Sequence, residues 1–212
     1  MKLSIIIPAY NEEKRLPDVL WNYLLFFKEE LGEDFEIIVI PNNCKDRTLE
    51  VAEEFSKNNK QIRVYNISEY SGKGGAVLKG FEIAEGEYIG FIDADRSTSP
   101  INFFKLYQNK RDFHGIIASR RVCGALITPR RTFFQNASSR MFNLLVRFLF
   151  GFKHKDTQCG AKIFRKNVAR MFSKECKETG WGFDVHLLYL CKKYNLKIFE
   201  QPINWTDDAE GS

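Results

Sequence analysis

Short runs of β-branched and apolar residues alternate along the chain with longer stretches in which apolar residues recur every three or four positions. Residues 3–8 form the first run, and Leu16, Val19, Leu20, Tyr23, Leu24, Phe27 and Leu31 then keep helical spacing. The same reading predicts strands over 35–40, 62–67, 88–92 and 115–119, and helices over 46–55, 74–84 and 100–109, with Asp46 near the start of the second helix. Strand and helix in alternation imply an α/β fold built on a mainly parallel, doubly wound sheet flanked by helices. Beyond Arg121 the alternation stops. A long helix over 132–150, a short strand over 161–164, a helix over 183–194 and a strand over 197–204 are expected there. No Pro-, Gly- or Ser-rich linker separates the two stretches, so 1–121 and 122–212 are expected to be halves of a single domain, 1–212.

With 44% apolar residues, 212 residues suffice for a continuous core. A net charge of +5 suits anionic ligands such as phosphates or an acidic membrane surface, and is too small to indicate nucleic acid. The five cysteines are scattered with no C-x-x-C pair, which argues against a zinc site and suits reduced, intracellular thiols. Residues 1–8 are too short an apolar run for a secretion signal, so the sequons at Asn66, Asn136 and Asn204 are read as chance. The richest apolar stretch, 141–152, is broken by Asn143 and Arg147 and falls short of the roughly 20 residues that a bilayer span needs. A cytoplasmic protein that lies on a membrane without crossing it fits these features.

Doubly wound sheets bind ligands beyond the carboxyl ends of their strands, which directs attention to 9–13, 41–46 and 93–97. Strand 88–92 runs straight into Asp93-Ala94-Asp95. Two carboxylates one residue apart repel unless a cation joins them, and hard oxygen donors favour Mg²⁺ or Mn²⁺ bridging a diphosphate. An ordinary turn is the plainer reading. Arg96 alongside could partly replace a metal or contact the diphosphate. Ser71-Gly72-Lys73-Gly74-Gly75-Ala76 precedes a helix, so its backbone N–H groups could meet an anion with Lys73 adding charge, or it could be a tight turn; it is neither a P-loop nor a dinucleotide fingerprint.

Arg120, Arg121, Arg130, Arg131 and Arg140 flank the loop after strand 115–119 and suit phosphate. On the following helix Asn136, Arg140, Asn143 and Arg147 share a narrow stripe, while Phe133, Phe134, Met141, Phe142, Leu145, Phe148 and Leu149 cover most of the rest, with Phe152 just beyond. Such a helix either packs in a core or lies in the plane of a membrane. His114, His154 and His186 share no spacing, and no G-x-S-x-G or H-E-x-x-H motif occurs, so triad hydrolases and zinc proteases lack support.

Taken in order, Ile5-Ile6-Ile7-Pro8-Ala9-Tyr10-Asn11-Glu12-Glu13, Gly72-Lys73-Gly74-Gly75-Ala76 and Asp93-Ala94-Asp95 resemble the family 2 inverting glycosyltransferases of the GT-A (Rossmann-like) fold. Asp156-Thr157-Gln158-Cys159-Gly160-Ala161-Lys162, Trp181-Gly182-Phe183-Asp184-Val185 and Asn204-Trp205-Thr206 narrow the resemblance to the polyprenyl-phosphate sugar synthases, the dolichyl-phosphate β-glucosyltransferase group first and the mannosyltransferase group next. The resemblance implies inverting, metal-assisted transfer of a hexose, glucose favoured, from UDP-glucose or GDP-mannose to a polyprenyl or dolichyl monophosphate at the cytoplasmic face of a membrane. It makes 1–121 the nucleotide-sugar-binding half and 122–212 the acceptor-side half. Pro8, Ala9, Tyr10 and Glu12 match the part that holds base and ribose, with Asn42, Lys73 and Ala94 expected beside the donor. Asp93 and Asp95 match the metal and diphosphate pair. Arg120 and Arg131 match arginines that hold phosphate, while Gln158 and Trp181 match the floor of the acceptor pocket. Asp184 is the carboxylate expected near the reacting centre, so Asp95, Asp184, Arg120 and Arg131 are the catalytic candidates.

This chain carries Pro41-Asn42-Asn43-Cys44 where the family has Asp-Asp-Gly-Ser, so the nucleobase contact or the base itself is expected to change. His186 stands where a Glu is usual, and the Phe-rich helix takes the place of a membrane anchor that relatives carry. Two other readings stay open: a family 2 enzyme acting on a sugar hydroxyl, with Asp184 as a true base, and a degenerate module that binds nucleotide-sugars or membranes.

Overall fold

The computed structural model describes residues 1–110, 112–128, 133–180 and 182–206, with the backbone alone over 133–139. Strand β1 (Leu3–Ala9) and strand β2 (Phe35–Pro41) pair in parallel, and both are almost wholly buried, as a parallel strand covered on both faces must be. Strand β3 (Ile62–Val64) extends the sheet beyond β2 and strand β4 (Tyr88–Phe91) extends it beyond β1, both in parallel. Strand β7 (Lys162–Arg165) then pairs antiparallel with β4, and strand β5 (Gly115–Ser119) pairs with the other edge of β7. Strand β8 (Ile198–Pro202) closes the far edge, giving the order β3-β2-β1-β4-β7-β5-β8. The sheet is therefore parallel except for β7. A strand from the second half of the chain lies between two from the first.

Alternation along each strand fills two core layers. Leu3, Ile5 and Ile7 of β1 and Phe35, Ile37 and Val39 of β2 face helix α1 (Leu16–Leu31) and helix α4 (Pro100–Gln108), where Tyr23, Phe27 and Phe103 bring their rings together. Ile6, Ile38 and Ile40 face helix α3 (Gly72–Ile83), helix α6 (Lys166–Glu175) and helix α7 (Phe183–Lys193) on the other side. The predicted helix over 46–55 is helix α2 (Thr48–Asn58), and the long helix is α5 (Phe133–Phe150).

Three expectations change. The strand over 62–67 stops at Val64, with only a single bridge from Ile67 to Asn42 continuing it. Pro202 cannot donate to a ladder, and beyond it the chain leaves the sheet; Asn204–Thr206 (β9) pairs instead with Leu126–Thr128 (β6). Helix α6 has no counterpart among the predicted elements; its apolar residues Val168, Ala169, Met171 and Phe172 form one short stripe packed on the core.

Helix α5 is turned inside out. Asn143 (3% exposed) and Val146 face the body of the protein with Arg147 half-buried beside them, whereas Met141, Leu144, Leu145, Phe148 and Leu149 are 53–83% exposed. Asn143 holds its inward place by accepting hydrogen bonds from the Thr157 N–H and Oγ1, both at 2.9 Å. A helix buried in the core of this chain does the reverse, so the described part of α5 leaves its apolar face outside that core. Phe152, just past the helix, is the exception and is buried.

Candidate active site

The sheet changes direction of winding at β1, whose neighbours β2 and β4 are reached by crossovers on opposite sides, and a crevice opens at the carboxyl ends of β1 and β4. Pro8, Ala9, Tyr10 and Glu12 from β1 and its loop, Asn42 after β2, Lys73 from α3, and Asp93, Ala94 and Asp95 after β4 line one cleft of about 300 Å³ there. Every residue expected beside the nucleotide-sugar thus meets in one place, and Tyr70 joins them. Tyr70 sits edge-on to Tyr10 with centroids 5.4 Å apart, two exposed rings at the mouth. Nothing in its local sequence distinguishes Tyr70 from a loop aromatic.

The loops that form the cleft hold their shape by unusual backbone. Asn11, Asn43 and Arg96, one after each of β1, β2 and β4, all have positive φ (57°, 54° and 62°). Asparagine adopts this region readily and arginine does not, so Arg96 is held there by its surroundings. Its guanidinium bonds to Asp18 (2.5 Å) and to the Lys14 carbonyl (3.1 Å), which fixes the turn carrying Asp95 and directs the charge onto α1. Asp95 accepts the Ser97 N–H at 3.0 Å in the same turn. Glu12 makes a two-point ion pair with Arg15, and burial raises its pKa against that pairing. Asn42 is 2% exposed; its side chain accepts the Ser71 N–H and donates to the Gly72 carbonyl, so its carboxamide braces the loop before α3 where a nucleobase contact was expected.

The glycines of that loop serve protein packing. Gly72 has φ +68° and lies so close to Thr179 that a Cβ would stand 2.4 Å from the Thr179 carbonyl oxygen, a Cβ on Gly74 would strike the Phe183 ring, and the Gly74 N–H is committed to Thr179. The chain entering α7 is thereby pressed against the start of α3, and this brings Asp184 to Lys73.

Charges alternate across the junction. Lys73 Nζ is 2.6 Å from Asp93 Oδ1 and 3.8 Å from Asp184 Oδ2, while Asp184 Oδ1 accepts from Lys162 Nζ. Lys162 is fully buried in β7, donates also to the Cys159 carbonyl at 2.7 Å, and has no solvent contact. Burial works to raise the Asp184 pKa, but Lys162 and Lys73 overcome it and hold the carboxyl below its ordinary value. Burial likewise opposes the charge on Lys73, yet Asp93 and Asp184 keep its ammonium above the usual lysine range. For Asp93 burial prevails, with Asp95 and Asp184 adding repulsion, and its pKa is raised despite Lys73. A Cβ on Gly160 would lie 1.8 Å from Asp93 Oδ2, so only glycine leaves room for that carboxylate.

Arg120, the expected phosphate ligand, is engaged by a buried carboxylate. Its Nε and Nη2 form a two-point pair with the fully buried Asp156 (2.8 and 3.0 Å), its backbone N–H bonds to the same carboxylate, and its guanidinium lies 5.3 Å from the Trp205 ring. Burial raises the Asp156 pKa but Arg120 drives it below the ordinary range. The pair fastens the end of β5 to the loop carrying Gln158, whose N–H bonds to Asp156 at 3.3 Å. Arg130, Arg131 and Trp181 lie outside the described residues. Asp156 and Lys162 bound the motif over 156–162, but the sequence assigns neither a role; a lysine inside the apolar run Ala161-Lys162-Ile163-Phe164 is the available signal.

Asp93 and Asp95 would offer hard oxygen donors to a divalent cation; among the described residues no group of three or more His, Cys, Asp or Glu side chains converges.

This fold, with a carboxylate pair at its switch point and a second charged floor from the later half, is that of a GT-A glycosyltransferase. Over 100% of the chain and 72% of the solved protein it superimposes on glucosyl-3-phosphoglycerate synthase from Mycobacterium tuberculosis in complex with uridine-diphosphate (TM-score 0.70, 17% identity). It also superimposes on the mannosyltransferase PcManGT from Pyrobaculum calidifontis in complex with GDP-Man and Mn²⁺ (TM-score 0.68, 15% identity, 99% of this chain and 58% of that one). Residues 4–172 match Glycosyl transferase family 2, and the chain belongs to that family. Among curated relatives it is 35% identical to a dolichyl-phosphate beta-glucosyltransferase of Drosophila melanogaster over 98% of this chain and 68% of that one. It is 33% identical to the protein of the same name in Dictyostelium discoideum over 97% and 66%. The chain thus spans about two thirds of these relatives' length. No helix among the described residues is long and apolar enough to cross a membrane.

Proposed function

We propose that the protein transfers glucose, with inversion, from UDP-glucose to dolichyl or another polyprenyl phosphate, using Mg²⁺ or Mn²⁺. The observation that carries this reading is the cleft lined by Asp93, Asp95 and Lys73, with Asp184 joined to it through Lys73. The names of the relatives support the acceptor and the sugar. Pro8, Ala9, Tyr10 and Glu12 bind the nucleoside end of the donor, Asp93 and Asp95 hold the cation, and Lys73 meets the diphosphate. When bound there, the cation neutralises charge on the departing nucleoside diphosphate. Arg131 and the floor formed by Gln158 and Trp181 receive the acceptor, while Arg120 acts through Asp156 by shaping that floor.

A phosphate acceptor is already anionic at neutral pH, so positioning and charge screening matter more than a base. Asp184 agrees with this. A carboxylate held below its ordinary pKa by two lysines is a weak base, suited to accepting a hydrogen bond from a sugar hydroxyl, which disfavours the hydroxyl-acceptor reading. The outward apolar face of α5, with exposed Lys153 and Lys155 close behind it, lies in the surface of the membrane that carries the acceptor, on its cytoplasmic side.

Purified protein with Mg²⁺ and a short polyprenyl phosphate is offered labelled UDP-glucose and GDP-mannose separately, and label entering the organic phase is counted. Label from UDP-glucose is expected, and none from an Asp95→Ala variant. Donor binding without transfer from either sugar would overturn the reading in favour of a binding module.

A further inference from the structure

Three carboxylates, Asp93, Asp95 and Asp184, face two ammonium groups, Lys73 and Lys162, in the half-buried junction between the donor and acceptor sides. The two lysines are not equivalent. Lys162 is sealed in β7, anchored to Asp184 and the Cys159 carbonyl, and cannot move without opening the sheet. Lys73 sits at the rim of the cleft, 35% exposed, on a flexible stem, and reaches Asp93 on one side and Asp184 on the other. Its ammonium contacts Asp93 Oδ1, so it competes for that carboxylate with any other cation. The other Asp93 oxygen is pressed against Gly160.

We infer that Lys73 is a resident cation that competes with the divalent ion for Asp93 and is handed over to the donor diphosphate when nucleotide and metal bind together. The inference rests on the reading of Asp93 and Asp95 as the metal pair. Its physical basis is charge balance. The five groups together lack one positive charge, so a divalent ion alone converts that deficit into an equal excess, in a site where repulsion from Lys73 acts at short range. A nucleoside diphosphate arriving with the ion more than cancels that excess and offers Lys73 a new partner while the ion takes Asp93. Asp184, already 3.8 Å away, keeps the displaced ammonium within the cleft. Metal alone is therefore held weakly, and metal with nucleotide tightly. Lys73 enforces the difference, so a metal-loaded cleft without donor stays scarce.

Mn²⁺ binding, followed by the loss of its free-ion electron paramagnetic resonance signal, tests this without turnover. Wild-type protein is expected to bind Mn²⁺ weakly alone and far more tightly with UDP. Lys73→Met and Lys73→Gln remove the charge with different packing. Each is expected to bind Mn²⁺ alone roughly tenfold tighter or more than wild type, and to lose much of the tightening by UDP. Lys73→Arg keeps the charge and should resemble wild type. If either neutral variant that melts cooperatively binds Mn²⁺ alone no more tightly than wild type, the inference is wrong even though the metal pair stands. Should Mn²⁺ with UDP bind wild type and Asp95→Asn alike, the metal reading itself fails and takes the inference with it.

Discussion

Gly160 shows how much a single hydrogen atom can decide. Its missing side chain gives the Asp93 carboxylate its place, and an added methyl would land 1.8 Å from Oδ2. In Gly160→Ala the carboxylate must swing away, at an overpacking penalty of about 1–3 kcal/mol. The expected result is a folded protein with a modestly lowered melting midpoint and loss of joint Mn²⁺ and UDP binding in calorimetry. Binding retained at wild-type strength would show that Asp93 has freedom to shift. At this scale the carboxylate pair was legible in the sequence because both members follow directly on one strand, where proximity along the chain is proximity in space. Lys162, Asp156 and the bracing role of Asn42 were not, since each acts on a partner 22, 36 or about 30 residues away. Arg120 was legible as a functional position, but its partner Asp156, which decides what it does, lies in a different element.

Among the elements, α5 reverses the usual rule that apolar faces stabilise the fold. Phe148 is 83% and Leu149 64% exposed, so replacing both with Asp should leave stability in water within about 0.5 kcal/mol. The same change should weaken binding to anionic phospholipid vesicles on the order of 100-fold, because each large apolar side chain contributes about 1.5 kcal/mol or more when buried in lipid. Equal vesicle binding by wild type and double variant in a flotation assay would sink the membrane role of this face. The amphipathic pattern of α5 was plain from its spacing, but which stripe faces inward was not. That depends on Asn143 finding Thr157, a contact no periodicity encodes. Helix α6 is hard to read for a different reason, as its apolar stripe is confined to residues 168–172.

For the molecule as a whole, the parallel sheet and its switch point followed from strand and helix alternating, whereas the antiparallel β7 had no local signature because its run of apolar residues fits either direction. Acid stability is also a global property, yet it traces to buried pairs such as Arg120 with Asp156. Asp156 ionises more readily in the folded state than in the unfolded one, so its contribution is complete above the ordinary carboxylate pKa and is lost as pH falls through the depressed folded value. The melting midpoint is expected to hold from pH 7 to about 5 and to drop below about pH 4. Asp156→Ala should be less stable by about 3 kcal/mol at neutral pH, since it strands a buried guanidinium, and should drop less steeply in acid. Parallel acid curves for the two proteins would remove Asp156 from the account. The position of β7 has a last consequence, for synthesis on the ribosome. The edge of β4 stays bare, and β5 has no partner in the sheet at all, until residues 162–165 leave the exit tunnel. The sheet is clasped shut from the middle, by a strand that arrives late.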